Sequence, residues 1–242
     1  MDRTSFETLF REIFSRNGLQ TYATESNIEQ FFRFTKLLLE ANEHVNLTAI
    51  REIPDVIAKH FADCLLAAEY FPENATVLDI GCGGGFPTIP LAIARPDLKI
   101  TALDSTQKKI HVVEVAAEAL GLHQVHPLCA RAEDAASGDL RTRFDIVTSR
   151  AMARMRILCE LALPFLKIGG QMVVLKGAQG TEELHEASRA IQTLGGKALN
   201  DLPMALHCAS GSENRHILIV SKKKPTPPQY PRTYAAILKK PL

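Results

Sequence analysis

Two spacing regimes divide the chain. Over the first 70 residues apolar positions recur every three or four: Phe6, Leu9, Phe10, Ile13 and Phe14 mark one amphipathic helix. Ile28, Phe31, Phe32 and Leu38 mark a second, with Ser26 available as its N-cap. Pro54 opens a third, whose Ile57, Phe61, Cys64, Leu65 and Ala68 form another stripe. The polar stretch NEHVNLT at 42–48 separates the second from the third. From Thr76 short apolar runs at 77–80, 99–103, 125–129, 144–149 and 171–175 predict five strands. Helical patterns at 87–94, 106–120, 154–165 and 182–194 alternate with them or follow. Apolar strands between amphipathic helices predict an α/β fold whose sheet is covered on both faces. Segments 199–208 and 216–221 supply a terminal antiparallel pair, which makes a seven-stranded mixed sheet. The organisation expected is a helical cap at 1–70, a Rossmann-like domain at 71–224 and a Pro-rich, basic, extended tail at 225–242.

Composition narrows the class without deciding it. The 242 residues are 46% hydrophobic and 23% charged, an ordinary globular balance. No apolar run approaches the roughly 20 residues that span a bilayer, and the start lacks a signal-like apolar core, so a cytoplasmic protein with no membrane partner is expected. Five cysteines are odd in number, with no CxxC and no histidines at ligand spacing; reduced thiols and no metal are expected. The formal charge is only +1, but it is unevenly spread. Residues 1–55 carry six basic and nine acidic groups, 141–156 five arginines against Asp145, and 222–242 six basic groups and no acid. Such polarity either focuses a polyanion on one part of the surface or is merely solvated.

The chemistry lies in TVLDIGCGGGFPTIP at 76–90. A strand ends in Asp79 and opens into glycines at 81, 83 and 85, which let the backbone turn tightly against a ligand. Phe86 stands where a dinucleotide fingerprint wants its third glycine, and no Lys-Ser or Lys-Thr follows for a P-loop. A carboxylate at the strand end repels pyrophosphate but suits a cation. Asp104, ending the second strand, is placed to accept from two ribose hydroxyls. Two other roles stay open: Asp79 as a cap of the glycine turn and Asp104 as a cap of the next helix. Cys82, inside the loop, is a cofactor contact or a small filler. Ala132 and Glu133, after the third strand, can meet an adenine edge. This combination resembles a class I S-adenosylmethionine-dependent methyltransferase.

The sequence after the fourth strand, Ser149-Arg150-Ala151, lacks the Asn/Asp-Pro-Pro-aromatic loop of enzymes acting on exocyclic base amines. No Pro-Cys pair offers a nucleophile for pyrimidine C5 chemistry. An acceptor with a ready lone pair remains, and guanine N7 fits; it needs no general base, so no catalytic acid or base is expected. Arg150 and Lys176 end the fourth and fifth strands and are candidates for RNA contact, Arg150 for the cofactor too. His60 and Asp63 share a helix face, with His60 either on the substrate side or simply packed.

NLTAI at 46–50, LDIGCGGGFPTIPLAI at 78–93, LDS at 103–105, SRA at 149–151, LKG at 175–177 and the terminal YPR…KKPL at 230–242 together are similar to the glucose-inhibited division protein B (RsmG) family of 16S ribosomal RNA guanine-N7 methyltransferases. The resemblance covers nearly the whole chain. It implies S-adenosylmethionine binding by Gly81, Phe86, Ala132, Glu133 and Arg150, supported by Asp79, Asp104 and the loop residues Cys82, Gly83 and Gly85. It implies 16S rRNA as partner, in the small ribosomal subunit or an assembly intermediate, met by Arg150, Lys176, His60 and, in the basic tail, Arg232. A monomer is expected. Two departures stand out: Thr88 where the family usually has glycine, and Cys64 where it usually has a serine able to place RNA. The competing readings are a class I enzyme acting on another RNA atom or a small molecule, and a non-catalytic RNA-binding assembly factor.

Overall fold

The computed structural model describes all 242 residues, Met1–Leu242. Three helical segments come first. These are α1 (Arg3–Arg16), α2 (Glu25–Asn42) and α3, a run over 53–65 whose centre, Val56–Ala62, is π-helical. Asp2 and Thr24 cap α1 and α2 by accepting from the Ser5 and Asn27 amides.

The sheet follows: β1 (Thr76–Ile80), β2 (Lys99–Asp104), β3 (Val125–Cys129), β4 (Phe144–Arg150), β5 (Leu166–Lys176), β6 (Gly196–Cys208) and β7 (Gly211–Lys222). Their order is β3-β2-β1-β4-β5-β7-β6, parallel through β5, with β7 antiparallel to both of its neighbours. The direction of winding reverses between β1 and β4, so ligands are expected at the carboxyl ends of those strands. The intervening helices are α4 (Thr88–Ala94), α5 (Gln107–Leu120), α6 (Ala132–Ser137), α7 (Met155–Ala162), α8 (Gly180–Glu186) and α9 (Ser188–Thr193).

Strand alternation sorts the core into two clusters. Val77, Ile100, Ile146, Val173 and Ile219 face α1 to α5, while Leu78, Val147, Met172, Val174 and Leu218 face α6 to α9. Rings tie the first helices to the glycine loop: Phe31 meets Phe61 at 4.8 Å, Phe34 meets Phe86 at 5.7 Å, and His60 stacks on Phe86 at 4.5 Å. Each such contact contributes about 1 kcal/mol beyond its buried area.

Four expectations need correcting. Ser26 lies inside α2, whose cap is Thr24. The helix expected at 182–194 is two, broken at Ala187. The stripe from Pro54 is π-helical at its centre, which re-aims successive side chains and turns His60 away from a simple helical face. The tail is not extended throughout, because residues 234–239 form α10 (Tyr234–Lys239). No proline falls between Pro231 and Pro241, Ala, Leu and Lys favour helix, and fully buried Ile237 pins the turn to the second cluster. No helix is long and apolar enough to cross a membrane.

Candidate functional site

Two cavities open side by side at the carboxyl edge. The first, about 340 Å³, is bounded by Gly81, Asp104, Lys109, Ala132, Glu133 and Tyr234. β1 delivers its loop there because the Gly81 and Cys82 amides donate to Leu103 O at 2.7 and 3.1 Å, folding the turn against β2. Gly81 has φ +75°, and a Cβ there would lie 2.9 Å from Met152 Cγ. Gly85, φ +94°, would strike Ile89 at 2.8 Å. The first glycine leaves the cavity its floor, and the second lets the loop close onto α4.

Asp104 fixes this loop from below. Its Oδ2 accepts from the Gly83 amide at 3.1 Å and its Oδ1 from the Thr106 amide at 2.9 Å. Both oxygens keep a further lone pair, and the side chain still borders the cavity. Capping and ligand contact are therefore compatible. Asp79 is different: it is fully buried, and its Oδ2 accepts from the Thr88 amide and hydroxyl at 3.2 and 2.7 Å. Thr88, in place of glycine, thus supplies a hydroxyl to that carboxylate. Asp79 Oδ1 has no partner, and neither has Thr148 Oγ1, its register neighbour on β4. Burial pushes the Asp79 carboxyl up to about 7 against the Thr88 bonds.

The second cavity, about 740 Å³, lies beyond Ala151 and Met152, which border both. Ala151 adopts φ +54°, a conformation an alanine reaches only under strain of about 1–3 kcal/mol, where the two spaces meet. Five cations, Lys59, Arg150, Arg154, Lys176 and Arg215, outnumber the carboxylates Asp63, Glu183 and Glu213. Lys176 donates to Ala153 O at 2.5 Å and pairs with Glu183 at 2.8 Å; Glu183 also accepts from the Met155 amide at the start of α7. Arg154 is the most loosely paired of the five, 3.7 Å from Glu186.

Arg150 is the hub between α3 and β4. It donates to Lys59 O at 2.7 Å, Asp63 Oδ2 at 3.1 Å and His60 Nδ1 at 3.0 Å. Arg215 holds the other Asp63 oxygen at 2.7 Å. A guanidinium only donates, so His60 Nδ1 accepts and its Nε2–H donates to Thr48 Oγ1 at 2.7 Å. Burial and the Arg150 charge lower the His60 pKa to about 3, which keeps the ring neutral. The Thr48 loop is shaped in turn by Asn42, whose side chain bonds the Leu47 and Thr48 amides and Thr48 O. The NLTAI segment is therefore scaffolding for His60.

Of the sequence candidates, Gly81, Asp104, Ala132 and Glu133 meet around the first cavity, and His60, Arg150 and Lys176 around the second. Asp79, Cys82, Gly83, Gly85 and Phe86 line neither cavity, and Phe86 packs against His60 and Arg150 of the second. Cys82 is buried in the core, with burial raising its thiol pKa. Arg232 joins neither cavity and is bound to Glu160. Cys64 is fully buried, its thiol pushed up to about 12, and it presents no surface to RNA. Sequence reading missed Lys109, Met152 and Tyr234 in the first cavity and Lys59, Glu183, Glu213 and Arg215 in the second. Met152 alone had a local signal, following Ser149-Arg150-Ala151. Asp63 and Arg215 are 152 residues apart, beyond any spacing argument.

The family model described as rRNA small subunit methyltransferase G matches residues 27–216. The ribosomal RNA small subunit methyltransferase G of Brevibacillus brevis is 44% identical over 236 residues, covering 96% of this chain and 98% of that protein. Its counterpart from Streptococcus equi subsp. zooepidemicus is 45% identical over 223 residues, covering 90% and 93%. Among solved structures, cofactor-bound Rv0187 from MTB superposes with TM-score 0.55 at 21% identity, covering 79% of this chain and 90% of that one. M. jannaschii TYW2 in complex with AdoMet gives 0.50 at 18%, covering 66% and 76%. The structural matches speak for the fold alone.

Proposed function

The chain belongs to the rRNA small subunit methyltransferase G family, and from that premise we propose that it methylates N7 of a guanine held in its second cavity. It is an S-adenosylmethionine-dependent methyltransferase of 16S rRNA. The observation that carries the assignment of cavities is their common wall at Ala151 and Met152, at the reversal point of the sheet.

The first cavity fits the cofactor. Gly81 gives a floor that a Cβ would fill, and Asp104 offers free lone pairs to vicinal hydroxyls. Ala132 and Glu133 stand where an adenine edge would be read, while Cys82, Gly83, Gly85 and Phe86 shape the loop. Buried Asp79 ties the loop to α4 behind it, accepting from the Thr88 amide and hydroxyl. S-adenosylmethionine, when bound, supplies a methyl group on a positively charged sulfur, already activated for transfer.

In the second cavity the surplus of cations suits a phosphate-bearing nucleotide. Lys176 and Arg154 supply charge at its border, and Arg150 holds the α3 wall through His60 and Asp63. Guanine N7 has a lone pair and no proton, so none of these side chains has to take one. Their work is alignment and exclusion of water. One chain completes both cavities, consistent with a monomer acting on the small subunit or an assembly intermediate in the cytoplasm.

The test uses small ribosomal subunits lacking the modification, tritiated-methyl donor and nucleoside analysis of the digested RNA. Label in 7-methylguanosine is expected. Label in any other nucleoside, or in none, overturns the proposal.

A further inference from the structure

Resting on the cofactor reading above, we infer that the segment after β7 is a built wall of the donor cavity and that Tyr234 is a cofactor-binding residue. Four anchors carry this segment across the second face of the sheet. Lys222, fully buried, donates to Leu194 O at 2.7 Å and meets the Thr226 hydroxyl. Arg141 reaches back to Thr226 O at 3.0 Å and Tyr230 O at 2.8 Å. Arg232 grips the fully buried carboxylate of Glu160, Nε to Oε1 at 2.8 Å and Nη2 to Oε2 at 2.6 Å, and its own amide donates to Oε1 at 2.9 Å. Ile237 is buried without exposure.

Tyr234 sits between the last two anchors, two residues from the Glu160 clamp. Its ring packs on the α7 side of the core and borders the same space as Asp104, Glu133 and Met152. A buried, bidentate ion pair fixes its backbone in a way that a loose basic tail would not. An aromatic face is complementary both to a flat purine and to a cationic sulfur. The tail's acid-free charge, read from sequence as an RNA-binding feature, is thus partly consumed in anchoring: Lys222 and Arg232 both face inward.

The chain has four tyrosines and no tryptophan, so its intrinsic emission reports on few positions. Full-length wild type, Tyr234→Phe and Tyr234→Leu would be titrated with S-adenosylhomocysteine by calorimetry and by tyrosine fluorescence. Leucine keeps apolar packing and removes the aromatic face; it is expected to weaken binding about tenfold or more, as loss of a stacked ring does. The ligand-free melting midpoint should stay within a few degrees of wild type. Phenylalanine is expected to bind as wild type does but to lose most of the ligand-induced change in emission. In turnover, the Leu variant should raise KM for the cofactor and leave KM for ribosomal subunits unchanged. Wild-type affinity in Tyr234→Leu, or an undiminished emission change in Tyr234→Phe, overturns the wall while leaving the cofactor reading intact. Failure of wild type to bind the ligand overturns both.

Discussion

The two cavities share a wall but are made in different ways. The cavity proposed for the donor takes its floor from backbone, from strand ends, glycines and amides, with Asp104 bonded to two of those amides and Lys109, Glu133 and Tyr234 at its border. The cavity proposed for the acceptor is built from long charged side chains, paired across α3, β4, β5, α8 and β7. Backbone geometry is set by local turns and register, whereas paired side chains depend on distant segments docking correctly. Substitutions on the donor side should therefore read out as ligand affinity, and those on the acceptor side as stability and RNA turnover.

Arg150→Ala breaks the acceptor side most. It leaves Lys59 O, His60 Nδ1 and one Asp63 oxygen unserved in a site where Arg150 is 16% exposed and Asp63 7%. Loss of one buried partner costs about 3–5 kcal/mol, so a melting midpoint lowered by about 10 °C is expected alongside lost methyl transfer. An unchanged melting curve would remove the hub role. Asp104→Ala is the donor-side counterpart: about a hundredfold weaker S-adenosylhomocysteine binding by calorimetry, with affinity for ribosomal subunits unchanged. A parallel fall in both affinities would dissolve the distinction between the cavities.

The pH profile sharpens the comparison. Asp79 has its pKa raised by burial to about 7, so it favours the folded state below about pH 4, a contribution lost as pH rises through 7. His60 has its pKa lowered to about 3; its contribution is present above about pH 6.5 and lost as pH falls through 3. Between about pH 4 and 6.5 the two slopes oppose. Asp79→Asn should make stability climb by about 2 kcal/mol across that window, and His60→Gln should make it fall. Denaturant melts at several pH values check both signs. Lys176→Ala is the mildest, because Glu183 keeps its bond from the Met155 amide; it should slow rRNA methylation about tenfold, lower stability less than Arg150→Ala does, and leave cofactor binding as it is.

What the sequence made legible follows the same division. Gly81, Asp104, Ala132 and Glu133 were readable because each ends or follows a strand, and strand ends converge in this topology. The seven strands and both faces of the sheet were readable from alternation. The π-helical turn at His60 was not, since its apolar stripe mimics an ordinary helix. The Asp63–Arg215 pair and the Arg232–Glu160 clamp were hidden by sequence distance. Tyr234 was hidden by the Pro-rich, basic run that precedes it, which reads as an extended tail.

A crystal structure with S-adenosylhomocysteine bound tests the division most directly. The ligand should fill the space between Asp104, Glu133 and Tyr234, with its sulfur toward Met152 and the second cavity. Ligand seated instead among Lys59, Lys176 and Arg215, or with its sulfur turned away from Met152, would contradict the account.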